Sequence, residues 1–315
     1  MQGSTSRLLL YFSPERRKRM GWLERINQAL DYIEENLQGE VDLLQVAKLS
    51  CQSLSGLQRL FSIVVDVSLS EYIRRRRLTL AAFELTHSDI KIIDLALKFG
   101  YDSPEAFARA FGVMHGVSPS AARSEGVHLK AYPRLSFLLT LKGDVPMDYR
   151  IETKEAFFIY GIEGVFTTEN QENFRAIPQF WQDVMKDGRF DKLAASVPAG
   201  RTNENDLCPI NAICSYRKTG GSTFPYMIFA FQTEGSKAEG FEKAIVPAST
   251  WAIFKSGTFR IEDTSKEVQA LNRRVYTEWL PNAPYELEEG FDMELYYGEN
   301  EKCWSEIWIR VKPKK

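Results

Sequence analysis

The closing stretch of the chain carries residues suited to binding a cation. Residues 304–311 (Trp-Ser-Glu-Ile-Trp-Ile-Arg-Val) alternate as a β-strand does, so Trp304, Glu306 and Trp308 share one face. A lone carboxylate between two indoles is costly in a core, whereas it suits a lipophilic cation held by ring faces. We therefore expect a cation site centred on Glu306; a Glu306–Arg310 pair on a solvated strand is the alternative. The further aromatic walls that we expect, each of which could instead belong to the core, are Tyr226, Trp251 and Tyr297.

A second set of residues recurs after 50 positions. Residues 57–61 (Leu-Gln-Arg-Leu-Phe) match residues 107–111 (Phe-Ala-Arg-Ala-Phe), so Arg59 and Arg109 occupy equivalent places. Arginine suits guanine or phosphate, and glutamine suits adenine, when a helix enters the major groove of DNA. The repeat therefore indicates two DNA-reading helices.

The elements around these residues form two helix-turn-helix units. Apolar periodicity and capping signals predict helices over residues 22–37, 43–49, 54–64, 68–87, 92–99 and 104–114. Asp42, Ser68 and Ser103 are predicted N-caps. Gly100 lies in the second turn, whereas Cys51 stands where the first turn would favour glycine. The helix over 68–87 is long enough for a rigid spacer between successive major grooves.

A basic cluster, Arg74–Arg77, begins the spacer helix. It predicts phosphate contacts, and pairing with Glu71 on a solvated helix face is the alternative.

Composition limits the classes of protein. The 315 residues are 44% hydrophobic and 26% charged, which is typical of a globular protein with two domains. A net charge of −2 gives no general basic field for nucleic acid. Four cysteines without a CxxC pair and three scattered histidines favour neither zinc nor disulfides, so we expect no metal, no cofactor and a reduced cytoplasm. No apolar run is long enough for a membrane span.

Residues 1–19 end in a basic block that follows a short apolar run, the reverse of a signal peptide. We expect a disordered, non-native extension before a start at Met20; a basic arm for DNA phosphates is the alternative.

The second unit and its flanks, residues 93–111 and 115–119, closely resemble the DNA-binding signature of the AraC/XylS family. The resemblance covers roughly residues 22–123 and implies an all-α double helix-turn-helix domain over 20–125. The base-edge positions that it implies are Ser55, Gln58 and Arg59 in the first helix, and Pro104, Glu105, Ala106 and Arg109 in the second. Among the basic cluster, Arg74 and Arg75 are the expected phosphate contacts.

Beyond a linker over 126–146, in which residues 135–141 could form a strand, the chain indicates a duplicated α+β fold. Strand, helix, strand and strand follow one another twice, so that helices would cover one face of an antiparallel sheet and leave a cleft on the other. The predicted strands are 157–166, 212–217, 226–232, 250–259, 293–297 and 306–311, and the predicted helices are 172–185 and 266–279.

This half, over 147–315, resembles the GyrI-like effector-binding domain at residues 246–254, 257–259 and 306–309. The resemblance implies a (βαββ)2 fold whose pocket takes drug-like or cationic molecules, with Glu306 at its centre.

The function that we predict is a one-component transcription regulator, not an enzyme, whose partners are double-stranded DNA, a small-molecule effector and RNA polymerase. Two alternatives remain open. One is a hydrolase that uses Glu294 and Glu306 with a tyrosine as acid and base. The other is a ligand-independent regulator whose second domain binds another protein.

Overall fold

The computed structural model describes residues 21–124, 126–137, 146–168, 172–198, 208–217, 219, 223–298 and 301–314. The predicted extension and the start at Met20 lie outside the described residues. No helix among the described residues is long and apolar enough to cross a membrane.

Six α-helices build the described part of the first domain, close to the predicted bounds. They are α1 (Trp22–Glu35), α2 (Leu43–Ser50), α3 (Leu54–Val65), α4 (Leu69–His87), α5 (Ile92–Lys98) and α6 (Pro104–His115), followed by a 3-10 turn at Ala121–Arg123. Their apolar faces form two cores. One lies among α1, α2 and α3, and the other lies among α4, α5 and α6.

The predicted caps and turns are present. The Asp42 carboxylate accepts hydrogen bonds from the amides of Leu44 and Gln45, at 2.9 and 3.1 Å. Ser68 and Ser103 cap α4 and α6 in the same way. Cys51 has φ 54° and ψ 41°, the left-handed conformation that glycine adopts most easily and that Gly100 adopts in the second unit with φ 73°.

Eight antiparallel strands form one sheet in the second domain. They are β1 (Tyr149–Lys154), β2 (Phe157–Thr167), β3 (Asn211–Cys214), β4 (Thr223–Phe231), β5 (Glu242–Val246), β6 (Ser249–Lys255), β7 (Tyr285–Tyr297) and β8 (Trp304–Pro313). The strand order across the sheet is β1-β6-β8-β7-β3-β4-β2-β5. The counterparts in the two halves are β1 and β5, β2 and β6, β3 and β7, and β4 and β8. If each strand is replaced by its counterpart, the same order results, read from the other end of the sheet. The predicted duplication is therefore confirmed, and each half lends an edge strand, β1 or β5, to the other.

The helices of this domain are α7 (Glu172–Lys186), α8 (Arg189–Ala195) and α9 (Thr264–Arg274), and α9 continues as a π-helical turn at Val275–Trp279. The edge strands and α8 were not predicted; β1 is rich in charged residues and largely exposed, so its alternation is weak. The predicted strand over 250–259 ends at Lys255, and Phe259 instead forms an isolated bridge with Cys303.

The predicted strand over 135–141 is wrong for its described part. Residues 135–137 do not join the sheet, because the Phe137 backbone is bound by Asn27 of α1. Asn27 donates to the Phe137 carbonyl and accepts from the Phe137 amide, both at 2.8 Å. Residues 138–141 lie outside the described residues.

Candidate effector cavity and DNA-reading helices

A cavity of about 520 Å³ lies between α7 and α9 above the centre of the sheet. Its wall is mostly apolar and aromatic, with Phe174, Trp181 and Met185 from α7 and Val268 from α9. It lies on the helix face, because the two helices leave the central strands uncovered between them. On the opposite face, where a cleft was predicted, a hydrophobic cluster packs beside a second cavity of about 420 Å³ that Glu306, Tyr297 and Trp304 line.

Glu294 of β7 is the carboxylate in this cavity. Its Oε2 accepts a hydrogen bond from the Tyr296 hydroxyl at 2.9 Å. Burial raises the pKa of Glu294; neighbouring Asp292 also raises it, while the Tyr296 hydroxyl and Arg59 lower it. Glu294 therefore holds a proton more tightly than an ordinary carboxylate, and a cation beside it would favour its ionised form.

Two buried amides also line the cavity, Asn173 of α7 and Asn272 of α9. They are 4% and 5% exposed. Neither side-chain oxygen has a hydrogen-bond donor among the described residues. Buried polar atoms are normally paired, so these two oxygens offer acceptors to a bound molecule.

Glu306 lies on the other face of the sheet. In the β7–β8 register Glu294 pairs with Ile307, and Leu295 pairs with Glu306. Directly paired residues of antiparallel strands project to the same side, so the two glutamates point in opposite directions. They cannot act together on one substrate, and the acid–base pair of the hydrolase alternative is not formed.

The premise that Glu306 is an unpaired charge is also wrong. Its carboxylate accepts hydrogen bonds from the Arg150 guanidinium, from the Tyr297 hydroxyl at 3.0 Å and from the Trp308 indole at 2.8 Å. Arg150 belongs to β1, the edge strand that the sequence did not reveal. The alternative pair with Arg310 is not formed either, because Arg310 pairs with Glu288 at 2.9 Å.

Of the six predicted ligand residues, five share the face opposite the helices, namely Glu306, Trp304, Trp308, Trp251 and Tyr297, and Tyr226 lies on the other face. Tyr226 is on the cavity side, where its hydroxyl accepts from the Trp181 indole at 2.9 Å. Trp251 and Trp308 pack in the opposite core, with ring centroids 5.8 Å apart. Tyr297 and Trp304 stack at 3.8 Å and reach the rim of the cavity.

The two DNA-reading helices have different surroundings. On α6, Glu105, Ala106 and Arg109 are exposed, and Pro104 is half-buried at its first turn. On α3, Ser55 is half-buried, and Gln58 and Arg59 face the second domain. The side chain of Gln58 is buried, and its Oε1 accepts from the Thr168 hydroxyl at 2.7 Å. Arg59 donates to Asp292 and to the Cys214 sulfur.

The basic cluster of α4 is occupied within the domain. Arg74 and Arg75 both pair with Glu71, and their side chains stay 42% and 32% exposed. Phosphate contact by these two remains a prediction. Arg76 pairs with Glu34 at 2.8 Å, and Arg77 donates to backbone carbonyls of Leu37 and Gly39.

No group of three or more His, Cys, Asp or Glu side chains is placed to hold a metal ion in the part of the chain that the structure describes.

Comparison with known proteins matches both domains. Residues 46–125 match the model of a helix-turn-helix domain, and residues 150–311 match that of Cass2, the integron-associated effector binding protein. The transcriptional activator AarP of Providencia stuartii is 42% identical over 98 residues, which are 31% of this chain and 73% of AarP. The regulatory protein SoxS of Salmonella typhimurium is 39% identical over 98 residues, 31% of this chain and 92% of SoxS.

Two solved structures are similar to one domain each. An integron cassette protein of Vibrio cholerae has 15% identity and a TM-score of 0.36, over 52% of this chain and 95% of its own. The C-terminal domain of AraT, a response regulator of Geobacillus stearothermophilus, has 27% identity and a TM-score of 0.30, over 33% and 91%.

A double helix-turn-helix joined to a duplicated α+β domain with a ligand-sized cavity defines a DNA-binding transcription regulator with an effector-binding domain. The chain belongs to the family of integron-associated effector binding proteins, which is GyrI-like, and carries an AraC-type DNA-binding domain ahead of it.

Proposed function

We propose that the effector is a lipophilic cation and that Glu294, not Glu306, is its counter-charge. The observation that supports this most is a buried carboxylate in an apolar, aromatic cavity that has no basic hydrogen-bond partner among the described residues. Such a site favours a positive charge carried on an apolar body, since ring faces and the carboxylate both attract it. Asn173 and Asn272 would accept hydrogen bonds from polar groups of the effector.

Glu306 serves as the matched control for this proposal. Its carboxylate is already paired with Arg150, which also lines the second cavity, of about 420 Å³, on that face. Glu306→Gln makes the same substitution on a neighbouring strand, at a residue that does not line the effector cavity.

The test is a tryptophan-fluorescence titration with tetraphenylphosphonium and with neutral triphenylphosphine oxide. We expect Glu294→Gln to weaken binding of the cation by about 1–3 kcal/mol and to leave binding of the neutral compound unchanged. Glu306→Gln should change neither. Equal losses for both compounds in Glu294→Gln would mean that the carboxylate is structural, and a selective loss in Glu306→Gln would restore Glu306 as the centre of the site.

We infer further that the two helix-turn-helix units read DNA through the predicted positions of α3 and α6, and that RNA polymerase is a partner in the cytoplasm. The supporting observations are the exposed face of α6 and the similarity to a protein named as a transcriptional activator. No catalytic role is proposed.

Arg109→Ala should weaken DNA binding by about 1–3 kcal/mol if Arg109 contacts guanine with both nitrogens. Gel-shift titration measures this loss. An unchanged footprint and affinity would exclude Arg109 from the interface.

A further inference from the structure

The base-reading face of α3 is covered by the effector-binding domain. Gln58 is 3% exposed, and the Thr168 side chain that binds it is 1% exposed. The Arg59 side chain is 16% exposed, and that of its partner Asp292 is 5% exposed. A helix in this position cannot enter a major groove, because its reading side chains already have protein partners.

The duplicated unit supplies an internal comparison. Arg59 and Arg109 occupy equivalent positions 50 residues apart, and both helices begin with a serine N-cap. Arg109 is exposed on α6, whereas Arg59 on α3 lies against β3 and β7 of the other domain. The difference between the two copies is therefore made by the effector-binding domain and not by the helices themselves.

The partners of Arg59 resemble those that DNA would offer. Asp292 supplies an anionic oxygen as a phosphate would, and Thr168 binds the Gln58 amide oxygen as a base-edge donor would. Asp292 is held in place by the Cys214 thiol, which donates to its Oδ1 at 2.8 Å. Because the pair is buried, removing one partner leaves the other as an uncompensated charge in this closed arrangement.

We propose that the effector-binding domain is an intramolecular competitor of DNA, and that the Arg59–Asp292 and Gln58–Thr168 contacts hold α3 closed. The contact surface continues at the end of α9. Tyr276 and Leu280 join the hydrophobic cluster of α1 to α3, and Arg273 donates to the Ile63 carbonyl at 3.1 Å. In the closed state only α6 presents its reading face.

The proposal rests on the DNA-reading role proposed for α3, and its test uses no effector. The probe is a DNA duplex selected from random sequence by the full-length Asp292→Asn chain. Asp292→Asn keeps the shape of the side chain but removes the charge. The closed state therefore becomes less stable relative to the open state. If about one molecule in ten is open in the wild type, releasing α3 in every molecule raises the apparent affinity for DNA roughly tenfold.

A second variant and a control complete the design. Thr168→Val is nearly isosteric and leaves every charge in place. It should therefore raise the DNA affinity, but by less than Asp292→Asn does. The control is Arg189→Ala, which removes an exposed pair with Asp187 inside the effector-binding domain, where both side chains are about half-exposed. It should leave DNA affinity unchanged, because exposed pairs contribute little.

Hydrogen–deuterium exchange of the α3 amides separates the possible failures. The expected result is faster exchange in α3 together with tighter DNA binding and a footprint extended by one turn of DNA in both variants. Faster exchange without tighter binding would overturn the DNA-reading role of α3. Unchanged exchange and unchanged affinity in both variants would overturn the closed contact itself.

Discussion

The carboxylates of Glu294 and Glu306 lie on adjacent strands in opposite surroundings. Glu306 is bound by a guanidinium, a hydroxyl and an indole, whereas Glu294 has a tyrosine hydroxyl and an apolar cavity. Burial raises the pKa of Glu294, and a cation beside it would favour its ionised form. Only Glu294 is therefore available to respond to a charged effector.

This difference predicts that effector binding depends on pH. Because burial and Asp292 raise the pKa of Glu294, with Tyr296 and Arg59 opposing, the ionised form that attracts a cation needs a higher pH than it does for an ordinary carboxyl. Affinity for tetraphenylphosphonium should therefore rise with pH and level off above the raised pKa, while affinity for triphenylphosphine oxide stays flat.

A variant checks that assignment. Glu294→Gln should make the cation titration independent of pH over the same range, and a pH dependence that persists in this variant would assign it to another group. A carboxyl whose pKa is raised on folding stabilises the folded state while it is protonated. Its contribution to the free energy of unfolding is thus present at low pH and is lost as pH rises through the raised pKa.

At the scale of elements, the turn between α2 and α3 differs from its counterpart between α5 and α6. Cys51 holds a left-handed conformation with an exposed side chain, whereas Gly100 occupies the corresponding turn. A residue with a Cβ atom is strained there by about 1 kcal/mol relative to glycine.

Cys51→Gly should therefore raise the free energy of unfolding by about 1 kcal/mol, because it removes strain and no buried contact is lost. Cys51→Ala is the matched control and should give no such gain, because alanine retains the Cβ atom. Urea denaturation of the wild type, Cys51→Gly and Cys51→Ala measures the free energy of unfolding of each chain. A gain in the alanine variant as large as in the glycine variant would show that the thiol, not the backbone, is responsible.

The α4 helix fixes the separation of the two reading helices. Its 19 residues span about 28 Å, which approaches the separation of successive major grooves on one side of DNA. In the Asp292→Asn chain, five base pairs inserted between the two half-sites should abolish binding of the second half-site, because the insertion turns it to the far side of the duplex. A footprint that still covers both half-sites after the insertion would contradict a rigid spacer.

At the scale of the whole molecule, the effector cavity and the closed contact share a wall. Arg59 and Ile63 of α3 line the cavity together with Glu294, and Arg59 is the one basic side chain among the described residues around it. Glu294 and Asp292 lie close enough to the Arg59 guanidinium to interact with it electrostatically. A second cation in this space repels Arg59 and weakens its attraction to Asp292.

An effector cation should therefore open the molecule. Saturating tetraphenylphosphonium is expected to raise the DNA affinity of the wild-type chain several-fold, and to have little effect on Asp292→Asn, where α3 is already released. Gel-shift titration with and without the cation measures both. Tighter DNA binding to the same degree in both chains would place the action of the effector elsewhere.

The amino-acid sequence by itself determined the local elements and the duplications. Helix periods, the caps at Asp42, Ser68 and Ser103, and the 50-residue repeat all depend on neighbours within a few positions or on internal similarity. These are short-range features, so the bounds of α2 to α6 and the AraC-type character could be predicted from the residues alone.

The tertiary structure decided which side chains meet. The partner of Glu306 lies 156 positions away on an edge strand, and the partner of Arg59 lies 233 positions away in the other domain. Strand alternation correctly grouped Trp304, Glu306 and Trp308, but it cannot tell which face the helices will cover. That choice depends on how α7 and α9 pack across the sheet, and it makes Glu294 the carboxylate of the cavity and Arg59 part of its wall.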